Sequence, residues 1–162
     1  MIFVDPTKKG DATATWEVLG KDNDELSKEM NNEVEETKNV LGESEVDVTA
    51  GNRTMTVDPY KLRNDSKFAD ELYDINKYDK DGPDVEYPFM EVNTTKEVES
   101  KSGEFEAWIQ TAAVDLKSWG GDTKALGAPF DIHFIGKKTH GSYNPSTGKF
   151  TPATSATQSS SK

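Results

Sequence analysis

Over residues 30–41 (MNNEVEETKNVL) polar and apolar positions alternate as in a strand, with Val34, Glu36, Lys38 and Val40 on one side and Glu33, Glu35, Thr37 and Asn39 on the other. Successive strand side chains point to opposite faces, so a half-buried strand ordinarily shows one clean apolar face. Here one face is only partly apolar and the other is wholly hydrophilic. The pattern predicts a sheet with water, or a hydrophilic channel, on one side.

Further strand patterns flank it. Residues 13–19 alternate, and Gly20 with Asp22-Asn23-Asp24 marks the turn that follows. In residues 45–50, Val46 and Val48 oppose Glu45, Asp47 and Thr49, and residues 53–57 form a shorter strand ended by Asp58-Pro59. Two long strands are predicted over residues 85–93 and 104–116, with Lys101-Ser102-Gly103 as the turn between them. In the second, Phe105, Ala107 and Ile109 share one face while Ala112, Val114 and Leu116 share the other, which predicts a bulge or bend near Gln110 or Thr111. Residues 126–135 make the cleanest core strand, through Phe130, Ile132 and Phe134, and residues 137–150 an exposed hairpin turning near Asn144-Pro145 or Thr147-Gly148.

One segment has helical period. Phe68, Leu72 and Ile75 form a single stripe within residues 65–78, with Asp65 or Ser66 as cap and Asp81-Gly82-Pro83 as the stop. Asp70 and Glu71 near its start and Lys77 and Lys80 at its end suit the helix dipole. Seven or eight strands and one helix predict a mainly β fold: an antiparallel β-sandwich or barrel with a flanking helix. Residues 1–12, broken by Pro6 and Gly10, read as an extended arm, residues 13–150 as the domain, and residues 151–162 (TPATSATQSSSK) as a disordered polar tail.

Composition narrows the function. The chain has 162 residues, a third of them apolar, so thin a supply that it either stays partly disordered or completes itself by assembling. The aromatics clustered in strand-like runs favour a modest folded core with long exposed extensions. A net charge of −11 opposes direct binding to DNA or anionic lipid, since phosphate contacts need Lys and Arg. There is no cysteine, hence neither a disulfide framework nor a thiolate metal site. No secretory signal and no apolar run of membrane-spanning length is present, which predicts a protein made and used in soluble form.

Catalytic signals are weak. His133 and His140 form no helical ligand pair and imply no third ligand, so both read as surface residues. Asp79-Lys80-Asp81-Gly82 only faintly resembles a calcium loop, lacking its first ligand and its closing Glu. The acidic pairs Glu35-Glu36 and Glu104 with Glu106 read as a solvated face. No phosphate-cradling or nucleophile motif occurs. The expectation is therefore no enzyme, no cofactor and no metal. Trp16 and Trp108 lie within strands and read as core or subunit-contact residues, while Trp119, in a turn, is a candidate for contact with another subunit.

The order of elements carries a resemblance. A Trp-bearing strand (ATATWEVLG) leads to a polar strand rich in glutamate, a short Gly-bounded strand, a helix (FADELYDI) and a long C-terminal β run (FEAWIQTAAVDLKSW, then GAPFDIHFIGKKTHGSYNP). Over residues 13–150 this series resembles the tail tube proteins (major tail proteins) of long-tailed bacteriophages, siphophages above all. The resemblance implies a β-sandwich whose sheets join edge to edge in hexameric rings. Those rings would stack into a hollow tube that conducts DNA from capsid to host. It further implies a virion location after synthesis in the host cytoplasm. The implied partners are other copies of the chain and the tape-measure, initiator (distal tail) and terminator proteins, with no membrane and no specific hold on the passing DNA.

Under that reading Glu33, Glu35, Thr37 and Asn39 would line the lumen, with Glu104 and Glu106 as weaker candidates, because carboxylates and amides let phosphate slide past. Contacts between subunits would fall to the arm (Ile2, Phe3, Val4), the loop over residues 42–52 (Glu45, Val46), the helix exit (Asp81, Pro83) and Trp119. Deleting residues 1–12 should then leave a folded monomer that no longer polymerises. The rival readings are another virion ring or decoration protein and a carbohydrate-binding β-sandwich module.

Overall fold

The apolar stripe of Phe68, Leu72 and Ile75 does make a helix, α1 (Lys67–Tyr78), with all three side chains buried. Ser66 is the cap: its Oγ accepts from the Ala69 amide at 3.1 Å, and Asp79 closes the far end in the left-handed conformation. A 3-10 turn (Gly82–Val85) follows, opened by Pro83. The computed structural model describes residues 1–99, 101–121 and 125–153.

Around this helix the described residues form thirteen strands: β1 (Ile2–Val4), β2 (Glu17–Val18), β3 (Lys28–Glu29), β4 (Glu33–Lys38), β5 (Ser44–Thr49), β6 (Thr54–Val57), β7 (Glu86–Glu97), β8 (Phe105–Leu116), β9 (Gly120–Gly121), β10 (Leu126–Gly127), β11 (Phe130–Phe134), β12 (Thr139–Asn144) and β13 (Lys149–Pro152). Nine belong to one curled antiparallel sheet, a half-barrel ordered β2-β1-β7-β8-β11-β6-β3, with β12 also on β8 and β13 beyond it. The mainly β fold with one helix is as the sequence predicts.

Strand β8 organises this body. It pairs with β7 without interruption from Glu106 to Ala113. Along its other edge residues 112–116 pair with β11 and residues 105–109 with β12, so two partners share one edge. The expected bulge near Gln110 or Thr111 is absent. The change of phase has another cause, because β8 feeds two cores from opposite faces. Ala112 and Val114 join a cluster with Phe68, Leu72, Tyr87, Phe89, Phe130 and Ile132, beneath the helix. Ala107 and Ile109 join the other cluster, with Phe3, Met90, Val92, Tyr143 and Phe150. The irregularity in the β7–β8 pair lies instead between Asn93 and Glu97.

The curl brings distant strands together. Lys28 on β3 forms an ion pair with Glu91 on β7, and its ammonium sits 3.5 Å from the Phe134 ring centroid. Burial holds the Lys28 amine below its ordinary pKa, against the opposing pull of Glu91.

The N-terminal segment departs most from expectation. Residues 2–4 are no free arm but an inner strand, paired with β2 on one side and β7 on the other. Val4 and Asp5 are fully buried. The Asp5 carboxylate accepts from the amides of Thr7, Lys9, Gly10 and Thr15 and from the Thr7 hydroxyl, knotting residues 5–15 into a closed loop. That loop shortens the strand predicted over residues 13–19 to Glu17–Val18. At the other end the predicted strand over residues 126–135 divides at Ala128-Pro129 into β10 and β11. The hairpin β12–β13 is not wholly exposed, since Tyr143 and Phe150 are buried. Thr151 and Pro152 belong to β13, the Ala153 amide donates to the His140 carbonyl, and residues 154–162 of the expected tail lie outside the described residues.

Candidate functional site: the exposed hairpin and the cleft beside the helix

Strands β4 and β5 form a sheet of their own. Six residue pairs join them, from Glu33↔Thr49 to Lys38↔Ser44, and every residue of both strands is exposed. Cross-strand neighbours share a face, which gives the ribbon two distinct sides. One carries Glu33, Glu35 and Thr37 with Glu45, Asp47 and Thr49; the other carries Val34, Val46 and Val48 with Glu36, Lys38 and Ser44. On the acidic side Glu35 stands directly opposite Asp47, a like-charge pairing that works against the isolated ribbon.

The turn joining these strands is held by side-chain hydrogen bonds yet apolar at its tip. Asn39 organises it, its Oδ1 accepting from the amides of Leu41 and Glu43 and its Nδ2 donating to the Glu43 carboxylate at 2.7 Å. Asn39 therefore leaves the face proposed for Glu33, Glu35 and Thr37 and spends its side chain inside the turn. Val40 is fully exposed and Leu41 is 80% exposed. Hairpin turns usually carry Gly, Asn or Asp at such positions.

Glu104 and Glu106 lie elsewhere, at the start of the β8 edge. Glu104 pairs with Lys101 at 3.2 Å, and a hydrogen bond from the Ser142 hydroxyl, then Lys101, holds its carboxyl below the ordinary range. Glu106 pairs with Lys96 at 3.0 Å. Among the inter-subunit candidates, Phe3 and Val4 are buried within the chain, and Ile2 packs partly buried beside the helix-side core. These three are thus corrected from free contacts to parts of the fold. Trp119 is half-buried and packs on Tyr73 of α1, with ring centroids 5.9 Å apart. Glu45 and Val46 sit on the exposed ribbon, and Asp81 and Pro83 on the exposed entry to the 3-10 turn.

The body carries a cleft of about 450 Å³ between β2 and the start of α1. Glu17 builds its back wall, accepting from the Ser66 hydroxyl at 2.7 Å and the Lys67 amide at 2.9 Å, where a carboxylate suits the positive end of the helix. Trp16, Val18 and Tyr60 give it apolar lining, and Lys21, Lys61 and Lys67 stand around it. Arg63 is paired with Asp22 at 2.6 Å, whereas those three lysines make no ion pair among the described residues. The sequence reading missed this cleft, because residues 15–23 and 60–68 meet only through the fold.

It also gave His133 no acidic neighbours. The β8–β11 register sets Asp131 opposite Asp115, and with His133 these residues bring ligand-type atoms within 4.8 Å of one another. The Lys117 ammonium already occupies the group, bonding both carboxylates, so the arrangement is an ion-pair network. The Thr56 hydroxyl, then Lys117, holds the Asp131 carboxyl below its ordinary pKa. A lowered carboxyl contributes stability above its unfolded value, near 4, that is lost as pH falls through its folded value. The stability difference between the natural chain and Asp131→Asn should accordingly shrink as pH falls below the unfolded value near 4, as read by urea melts.

No protein-family model matches the chain, and no curated protein matches its sequence. Among the described residues no helix is long and apolar enough to cross a membrane.

Proposed function

We propose that this chain is a self-assembling structural subunit, a tail-tube protein whose rings stack into a hollow conduit for phage DNA. One observation carries the reading: a six-pair β-ribbon, bare on both faces and tipped with Val40 and Leu41, finds no covering partner among the described residues. A lone two-stranded hairpin is marginal in water, and open strand edges invite another chain. Assembly supplies the missing partner.

Within this reading the acidic side of the ribbon turns toward the lumen. Glu33, Glu35 and Thr37, joined by Glu45 and Asp47, present fixed negative charge that keeps DNA from adhering. Glu104 and Glu106 serve this less well, since lysines neutralise both. Copies of the same chain are the principal partners, with tape-measure, initiator and terminator proteins at the ends of the tube.

Negative-stain electron microscopy over a concentration series tests the proposal. Hollow, evenly striated tubes are the expected result. Single closed rings would favour another virion ring protein. A second reading, the carbohydrate-binding module, draws on the half-buried Trp16 beside its cleft. It would take precedence if the chain stayed monomeric at every concentration and its tryptophan fluorescence shifted with added glycan.

A further inference from the structure

We propose that the cleft between β2 and α1 receives the tip of the β4–β5 hairpin from a second copy of this chain. This rests on the assembly reading and adds to it the surface by which one copy holds the next.

The tip has the character of an anchor. Its turn is fixed by Asn39 through bonds that do not involve the Val40 or Leu41 side chains. Those two aliphatics thus stand in water on a turn already set in shape. A preformed apolar tip loses little freedom on docking. The ribbon behind the tip spans six residue pairs, or about 20 Å at the rise of an antiparallel strand, enough to reach well beyond its own root.

The cleft is complementary in shape, polarity and charge. Its volume of about 450 Å³ and its lining of Trp16, Val18 and Tyr60 suit two aliphatic side chains. From residue 33 to residue 49 the hairpin carries six carboxylates against one lysine, a net −5. Lys21, Lys61 and Lys67 stand around the cleft without an ion pair among the described residues, and with Arg63 these four cations outnumber the three carboxylates that also line it, Glu17, Asp22 and Asp65. In a chain of net charge −11, a group of unpaired cations beside an apolar concavity is the natural docking place for an acidic segment. β2 supplies a third match. It ends the main sheet, so its outer edge is open beside the cleft, and an arriving strand can extend the sheet there.

Donor and acceptor are different surfaces of one chain, so the contact is head-to-tail. Such a contact propagates, closing into a ring or continuing as a filament. With the tip seated, the ribbon's side bearing Glu33, Glu35, Glu45 and Asp47 remains free of the cleft.

The test exploits the absence of cysteine from the natural chain. Full-length Leu41→Cys and Lys67→Cys are mixed, brought to assembling concentration and treated with a short bismaleimide. A covalent dimer containing both variants is expected, and none when Lys67→Cys is replaced by Thr147→Cys, outside the cleft. In parallel, the triple variant Lys21→Glu, Lys61→Glu, Lys67→Glu should raise the concentration needed for assembly at least tenfold while keeping the natural circular dichroism spectrum. Mixing it with Glu36→Lys, Ser44→Lys, both on the ribbon's other side, should restore assembly. Assembly without cleft cross-links, unchanged in the charge-reversed triple variant, would overturn the docking site and leave the assembly reading standing. A natural chain that stays monomeric at every concentration would overturn both.

Discussion

Asp5→Ala is expected to cost about 4 kcal/mol of folding free energy, a large part of the 5–15 kcal/mol that holds a typical domain. Asp5 is fully buried, and its two oxygens accept five hydrogen bonds, four from backbone amides. Alanine removes every acceptor at once. Water can reach part of the loop, but the inner amides lose their partner and carry a desolvation penalty. Asp5→Asn should fare little better, because its amide nitrogen must face donors whichever way it turns. Urea unfolding followed by tryptophan fluorescence gives the number. A loss below about 1 kcal/mol would mean that water replaces the carboxylate. Deleting residues 1–12 should unfold the chain for the same reason, since it also removes an inner strand between β2 and β7.

Phe68→Ala should destabilise by about 3–5 kcal/mol, the range for large aromatic truncations in a packed core. Phe68 is fully buried on α1, and the rings of Tyr60, Tyr87, Phe89 and Phe130 surround it at centroid distances of 6.2, 5.4, 6.4 and 5.6 Å. All four contacts are edge-on, the favourable arrangement for aromatic quadrupoles. Truncation opens a cavity where helix and sheet meet. Thermal unfolding should show a depressed Tm, and Phe68→Leu should recover much of the loss by refilling the space. Equal melting of Phe68→Ala and the natural chain would show that the helix does not hold the sheet.

Local signals made the helix and the ribbon legible. Phe68, Leu72 and Ile75 repeat at helical spacing, Ser66 precedes them, and the alternation around Val46 and Val48 matches β5. The ribbon's exposure was half-legible: the polar side was clear, but the valines looked like one side of a buried strand. Segments whose fate depends on remote partners stayed hidden. Ile2, Phe3 and Val4 are too few to signal a strand, and their β7 partners lie more than eighty residues away, at Glu91, Met90 and Phe89. The role of Asp5 stayed hidden because its donors are mostly backbone amides, which no sequence pattern displays. The phase change in β8 was seen and misread. Alternation records which face is buried, and a strand buried on each face in turn mimics a bulge. The cleft joins two segments about forty residues apart in sequence, so only the folded chain reveals it.

Because β8 contributes to both hydrophobic clusters, neither can melt while the other stays intact. The half-barrel is therefore one cooperative unit, and its slowest-exchanging amides should report a single global opening. The β4–β5 ribbon touches neither cluster and forms a second unit with its own, lower opening free energy. The ribbon can therefore open and re-form, or take up a neighbour, without drawing on the stability of the half-barrel.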